Sequence, residues 1–411
     1  MGSRGVGDGL DPLRQMCRQG RLFEVQEWIR EGKPIQPKAP PPKNARNSPL
    51  CIALAQGFHS LAQVLLEAGA PIQEGNYHAL HHAVQLRRTD LVALLIKHGA
   101  NVDDVSMQTV IATWDREMVD LFVSNGASLE TDLPIAWGLI NKIRTTLGVF
   151  KQYVGQQPEL AKQVEIALRY HSREGNTKWV SLMLWAGADP WALGPDDAPD
   201  YDFRAYDDEH GPLLYAAVEL AVTYDRLEVL KLKNFLKPAN REPPNAARIF
   251  EHAWKLRDPG VVRLLLERGY GPAQREDRCS ELLTGLLCIL SSSWTSSRWL
   301  AASRRPTHDI DTYQSEQVLE IIGLLLAHGA LWAPRDQEEI KRVRGSLLKM
   351  APKYTFEFIE LLHKHRAGRR GDVEELIRTP KMTKLMQKRC RKIPALVADL
   401  PEELAYPVTA D

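Results

Sequence analysis

Val64-Leu65-Leu66-Glu67-Ala68-Gly69-Ala70 is the stretch that decides the fold. It returns as Leu94-Leu95-Ile96-Lys97-His98-Gly99-Ala100 and as Leu121-Phe122-Val123-Ser124-Asn125-Gly126-Ala127. Further copies are Leu182-Met183-Leu184-Trp185-Ala186-Gly187-Ala188, Leu264-Leu265-Leu266-Glu267-Arg268-Gly269 and Leu324-Leu325-Leu326-Ala327-His328-Gly329-Ala330. An apolar run that closes on a glycine six times in one chain is an internal repeat. The phrase describes a helix ending, because glycine alone takes the left-handed conformation after a helix without a Cβ penalty. Gly69 to Gly99 is 30 residues, Gly99 to Gly126 is 27, and the 61 from Gly126 to Gly187 is about two units. Phe150-Lys151-Gln152-Tyr153-Val154-Gly155 is a weaker copy, placed where the missing unit should end.

Working outward, a second short helical pattern lies upstream of each glycine. Ser48-Pro49-Leu50-Cys51-Ile52-Ala53 precedes Gly69, His78-Ala79-Leu80-His81-His82-Ala83 precedes Gly99, and Gly211-Pro212-Leu213-Leu214-Tyr215-Ala216 opens a later unit. The small residues Ala53, Ala83, Ala112, Ala136, Ala216 and Ala253 are expected to let adjacent helices approach closely. Trp28, Trp114, Trp137, Trp179, Trp185 and Trp254 fall within helical patterns and are expected to fill the core.

These units resemble the ankyrin repeat, whose T-P-L-H-x-A opening and L-L-L-x-x-G-A ending they echo with substitutions. The resemblance covers roughly residues 12 to 380, about ten units, and is strongest over 48 to 130. It weakens where Thr becomes His78 or Gly211 and where the glycine is lost near Phe235. The resemblance implies an all-α, ankyrin-like helical solenoid of stacked helix-turn-helix repeats, in which only neighbouring units touch and one face is concave. His81 falls at the motif's own histidine, which implies a structural hydrogen bond to a neighbouring turn. The expected organisation is a flexible N-terminus at 1–11 and N-terminal repeats over 12–190 with a Pro-rich insertion at 33–47. An acidic aromatic finger at 189–210, degenerate repeats over 211–380 with an insertion at 291–312, and a basic terminal helix and tail at 381–411 complete it.

The whole-chain arithmetic bounds the function. The 411 residues carry 53 Lys plus Arg against 52 Asp plus Glu, a net charge of +1, which argues against a uniformly charged binder and leaves local patches open. Cys17, Cys51, Cys279, Cys288 and Cys390 are odd in number and widely spaced without C-x-x-C, which disfavours a disulfide framework and a zinc ribbon. Met1 to Asp11 has no apolar core of a signal peptide, and the longest apolar stretch, Leu282 to Leu290, is too short to span a bilayer. A soluble cytoplasmic protein is expected, with no membrane partner and with the nucleus left open.

Departures from the repeat are where function is expected. Lys33 to Asn47 holds Pro34, Pro37, Pro40, Pro41 and Pro42 and reads as a spacer or a Pro-recognition ligand. Asp189 to His210 holds eight acids against Arg204 alone, interleaved with aromatics. Trp191, Asp196, Asp197, Asp200, Tyr201, Asp202, Phe203, Tyr206, Asp207 and Asp208 are the candidate protein-binding residues there, since acids steer a basic surface and aromatics anchor it. A passive loop is the alternative. Ser291 to Thr312, with Trp294, Arg298, Trp299, Arg304 and Arg305, is polar and mildly basic and reads either as a contact loop or as a connection. Near the C-terminus, Arg369, Arg370, Lys381, Lys384, Lys388, Arg389, Arg391 and Lys392 form a basic run. A solvated cap, or a site for phosphate or an acidic protein, accounts for it.

No P-loop, G-x-G-x-x-G, H-E-x-x-H or G-x-S-x-G occurs, and neither the cluster His78, His81, His82 nor the pair His363, His365 supplies a metal ligand set. No catalysis, cofactor, metal or small-molecule substrate is therefore expected. The functional expectation is a protein-protein interaction scaffold or adaptor that binds through its concave face and inserted loops. The alternatives are a nucleic-acid-associated adaptor subunit using the basic C-terminal helices, and a regulatory or inhibitory subunit of another enzyme.

Overall fold

The computed structural model describes residues 9–36, 47–74, 77–195, 214–237, 246–250, 256–271, 276–291, 315–349, 352–389 and 391–404. The chain divides into two compact units, Met1–Ala167 and Leu168–Asp411.

In the first unit short helices follow one another in pairs: α1 (Asp11–Gln19) with α2 (Leu22–Arg30), α3 (Pro49–Ala55) with α4 (His59–Glu67), and α5 (Ala79–Gln85) with α6 (Thr89–Lys97). Then come α7 (Met107–Ile111) with α8 (Arg116–Ser124), α9 (Pro134–Ile140) with α10 (Thr145–Tyr153), and the start of α11 (Leu160–Glu174). The first helix of each pair packs on the first helix of the next, α1 on α3, α3 on α5, α5 on α7 and α7 on α9. The second helices form a parallel row through α2, α4, α6, α8 and α10. A helix flanked by neighbours on both sides must be apolar over most of its surface, and Leu50 to Leu54 are all buried. Of the small residues at the close of the hexads, Ala53, Ala83, Ala136 and Ala216 are buried, Ala112 is only half-buried, and Ala253 lies outside the described residues.

Local chemistry sets the boundaries. The Ser48 hydroxyl accepts from Cys51 N at 3.1 Å, and the Asp115 carboxylate accepts from Glu117 N at 2.9 Å, each satisfying a free N–H at a helix start. At the other end the six repeat glycines, Gly69, Gly99, Gly126, Gly187, Gly269 and Gly329, all have φ between 85° and 98°. Gly155 departs from that expectation: it does not take the left-handed conformation. There the Tyr153 carbonyl accepts from both Gln156 N and Gln157 N, and the chain turns without a glycine cap.

The second unit continues with α12 (Thr177–Trp185), α13 (Ala217–Thr223), α14 (Leu227–Leu230), a 3-10 turn at Ala246–Phe250 and α15 (Pro259–Glu267). Longer helices follow: α16 (Glu276–Ser291), α17 (Ser315–Ala327), α18 (Gln337–Lys349) and α19 (Pro352–His365), then α20 (Arg370–Ile377), α21 (Pro380–Arg389) and α22 (Ile393–Ala398). Packing again skips one helix at a time, with α15 on α17, α16 on α18, α17 on α19 and α18 on α20. A buried carboxylate ties α16 to α18. Glu339 accepts from the Ser280 and Thr284 hydroxyls at 2.7 and 2.8 Å and from Arg335 N at 3.0 Å. The fold is an all-α stack of helix pairs, with two short antiparallel hairpins among the described residues.

The tryptophans correct the sequence reading. Trp179 is buried, but Trp114 is 49% and Trp185 68% exposed, and Trp28 and Trp137 are only half-buried. Trp254 lies outside the described residues. Among the described residues the fully buried tryptophan is Trp332, edge-on to Phe358 with its backbone N–H on the Ala367 carbonyl. No described helix is long and apolar enough to cross a membrane.

Candidate interaction site

The acidic insertion leaves the stack from a hairpin. β1 (Gln73–Glu74) and β2 (Tyr77–His78), between α4 and α5, form a tight antiparallel pair joined by two residues. β3 (Gly194–Pro195) and β4 (Leu214–Tyr215), between α12 and α13, pair in the same way, Gly194 opposite Tyr215 and Pro195 opposite Leu214. Their connection is residues 196–213.

Both legs of this hairpin are fixed by buried groups. On the first, Trp191 is 2% exposed with its ring 5.4 Å from that of Tyr270. The Asp189 carboxylate accepts from Trp191 N at 3.0 Å, and the Pro190 carbonyl accepts from Val218 N. The buried Arg169 guanidinium lies against Gly194, so a Cβ there would make the guanidinium shift. On the second leg the Leu214 carbonyl accepts from Arg248 at 2.7 Å. Arg248 also pairs at 3.3 Å with the fully buried Glu219, which accepts from Ala216 N. Burial pushes the Tyr270 phenol up, against a smaller opposing effect from Arg268.

This placement corrects one expectation. Trp191, capped by Asp189, holds the root of the finger and does not present its ring to a partner, because burying an indole stabilises the root more than exposing it would. Asp196, Asp197, Asp200, Tyr201, Asp202, Phe203, Tyr206, Asp207 and Asp208 lie outside the described residues, as do 37–46 of the Pro-rich insertion and 292–312 of the later one. Arg169, Glu219, Arg248 and Tyr270 were not among the residues expected from the sequence to shape this site. A buried-charge signal was available only for Glu219, which sits between apolar residues in Val218-Glu219-Leu220.

The basic run is less bare than its charge count. Arg369 pairs with Asp372 at 2.6 Å, and Arg370 pairs with Glu402 at 3.3 Å while donating to the Leu400 carbonyl. Lys381, Lys384, Arg391 and Lys392 are exposed, and the side chains of Lys388 and Arg389 lie outside the described residues. An open cleft of about 720 Å³ here is lined by Glu374, Glu375, Arg378, Thr383 and Arg391, so both signs of charge face it. Among the described residues no group of His, Cys, Asp and Glu is placed to hold a metal ion. Instead of sharing an ion with His365, His363 bonds the Asp399 carboxylate at 2.8 Å.

A family model described as ankyrin repeats matches residues 13–106 in three copies. Residues 13–106 carry ankyrin repeats. The matched span holds α1 to α6 and the β1–β2 hairpin, so the ankyrin identity rests on the helix pairs whose glycine endings opened the sequence reading. Among solved structures, the ankyrin repeat domain of Bcl-3, described as a unique member of the IkappaB protein family, is 18% identical. It covers 63% of this chain and 99% of its own, at a TM-score of 0.31. No curated protein matches the sequence. Ankyrin repeats are in general protein-interaction modules, and a scaffold of that kind is the function the family supports. A nucleic-acid partner finds no support in these comparisons.

Proposed function

We propose that this chain is a non-catalytic scaffold that holds residues 196–213 out from its ankyrin stack to engage a basic surface on a protein partner. The observation that carries the reading is the doubly anchored hairpin: Trp191 on Tyr270 fixes one leg, and the Arg248–Glu219 pair fixes the other. A root ordered in advance limits the entropy lost on binding to the insertion itself. The seven acids of 196–213, with Arg204 the only Lys or Arg, raise the encounter rate with a basic surface. Tyr201, Phe203 and Tyr206 provide the apolar contact once it is reached.

The test exploits the first hairpin. Replacing 196–213 by Gly-Asn, the pair that joins β1 to β2, should close the second hairpin without disturbing its root. The variant is expected to melt with the parent and to lose the proteins that the parent captures from a lysate, with those proteins eluting from the parent as salt rises. Undiminished capture by a variant with an unchanged melting temperature refutes the reading.

A further inference from the structure

Within each pair of the first unit, the residue that ends the turn into the second helix is left-handed. Gly20 and Gly57 meet that demand with φ of 69° and 74°. At the equivalent positions of the next three pairs stand Arg87 (φ 55°), Trp114 (φ 62°) and Lys142 (φ 63°). A left-handed tryptophan is strained for any L side chain and more so for a bulky one, and here glycine is the residue the turn itself favours.

These three residues share one edge of the unit, and their surroundings have a consistent character. Leu86 precedes Arg87 and is 39% exposed; Trp114 is 49% exposed. Arg87, Lys142 and the nearby Arg144 are exposed and make no ion pair among the described residues. The acids of the same edge are mostly engaged: Asp90 binds Arg88 at 2.7 Å, and Asp115 caps α8 and accepts the Thr89 hydroxyl at 2.9 Å. Glu117 is left unpaired and Asp115, although hydrogen-bonded, keeps its charge, so among the described residues three unpaired cations face two anions without a cation partner.

We infer that this turn edge is a second docking surface, for an extended acidic segment of another protein that carries one apolar side chain. Packed helices stand about 8–10 Å apart, so Arg87, Trp114 and Lys142 recur at roughly that interval. An extended chain advances about 3.3 Å per residue, so every third residue of the segment faces the next repeat. The pattern that fits is acid-x-x-apolar-x-x-acid, with the acids opposite Arg87 and the Lys142–Arg144 pair and the apolar residue on Leu86 and Trp114. This surface lies at the turns within pairs, whereas the finger leaves from a hairpin between pairs, and its partner has the opposite charge.

The probe is a fluorescein-labelled nonapeptide with Glu at its second and eighth positions, Leu at its fifth and Ser elsewhere, titrated into the full chain. Saturable binding at about 10–100 µM in low salt is expected, weakening as salt screens the charges. The double variant R87E/K142E should bind at least about tenfold more weakly, a change of 1.4 kcal/mol or more. R87G/K142G should also lose affinity while its melting temperature holds or rises, because glycine fits the turn. That pair of readings separates contact residues from supporting ones. No saturable binding up to about 1 mM overturns the proposal. So does a lowered melting temperature in R87G/K142G, or tighter binding of a thymidine dodecamer than of the peptide, which would make the edge a nucleic-acid site.

Discussion

Gln163→Met should destabilise the first unit by about 3 kcal/mol, and the figure follows from how α9 begins. Its N-cap residue, Leu133, has no side-chain acceptor and sits at φ 48° and ψ 53°. Pro134 at the first helical position has no N–H to satisfy, but Ile135 and Ala136 do. Gln163, 2% exposed, reaches in from α11 and accepts from both, at 2.9 and 3.2 Å, while its amide donates to the Leu129 carbonyl at 2.7 Å. One side chain thus replaces the missing cap and closes the loop before it. Methionine preserves length and nearly the volume, so the packing change contributes under about 1.5 kcal/mol. Three buried groups lose their partner, each worth about 1–3 kcal/mol, and a small shift or an entering water recovers part of it.

Urea unfolding followed by tryptophan fluorescence measures this directly, since Trp137 lies on α9 itself. The expected loss corresponds to a fall in melting temperature of roughly 6–12 °C for a unit of this size. Gln163→Ala should be worse still, because it adds a cavity. A loss under about 1 kcal/mol in the Met variant would show that α9 draws its cap from elsewhere, and the reasoning fails.

Three further outcomes are expected. Burial pushes the Cys17 thiol from an ordinary 9.0 up to about 12, against a smaller lowering by Arg18. Its contribution to stability is therefore full below about pH 9 and declines from there towards about pH 12, as the unfolded chain alone releases the proton. Cys17→Ala should flatten that alkaline slope, and mass spectrometry after iodoacetamide at pH 8 should find native Cys17 unmodified. Gly57→Ala should cost about 2 kcal/mol, more than Gly99→Ala at about 1. Both are left-handed, but only at Gly57 would the new Cβ meet a neighbour, the Arg88 guanidinium, and calorimetry of the two variants decides it. Trp191→Ala should cost about 3 kcal/mol and speed amide exchange across β3 and β4, and slow exchange there would refute its anchoring role.

The glycine endings were legible because a helix stop is a local event. Leu66 to Ala70 contains everything that closes α4, and the left-handed φ of 87° at Gly69 is what the phrase demands. The root of the finger was not legible for the opposite reason. Trp191 reads as the first aromatic of an acidic insertion, and the Tyr270 ring that buries it comes from a distant stretch of chain. Trp114 and Trp185 satisfied a helical period that says which residues share a face and nothing about what covers it. The basic run suffered likewise, since the carboxylate that meets Arg370 is the distant Glu402, and pairing across a fold leaves no mark on composition.

The places where the sequence departs from its repeat follow from the stack itself. Both flanks of an inner helix are occupied by neighbouring pairs, so a polar or bulky substitution there damages two interfaces at once. Connections are different, for the turn within a pair and the hairpin between pairs have one side open. An insertion of eighteen residues at the β3–β4 tip adds loop entropy that grows only slowly with length, while Trp191 and Glu219 keep the legs in register. Left-handed Arg87, Trp114 and Lys142 are more demanding, at about 1–2 kcal/mol each. Summed, they approach a sizeable part of the net stability of an ordinary domain, about 5–15 kcal/mol. Because each turn touches only its neighbours, the strain is shared among three interfaces, and no single repeat has to bear it. A stacked array can therefore carry strained, exposed side chains along one edge where a single-core domain of equal size could not.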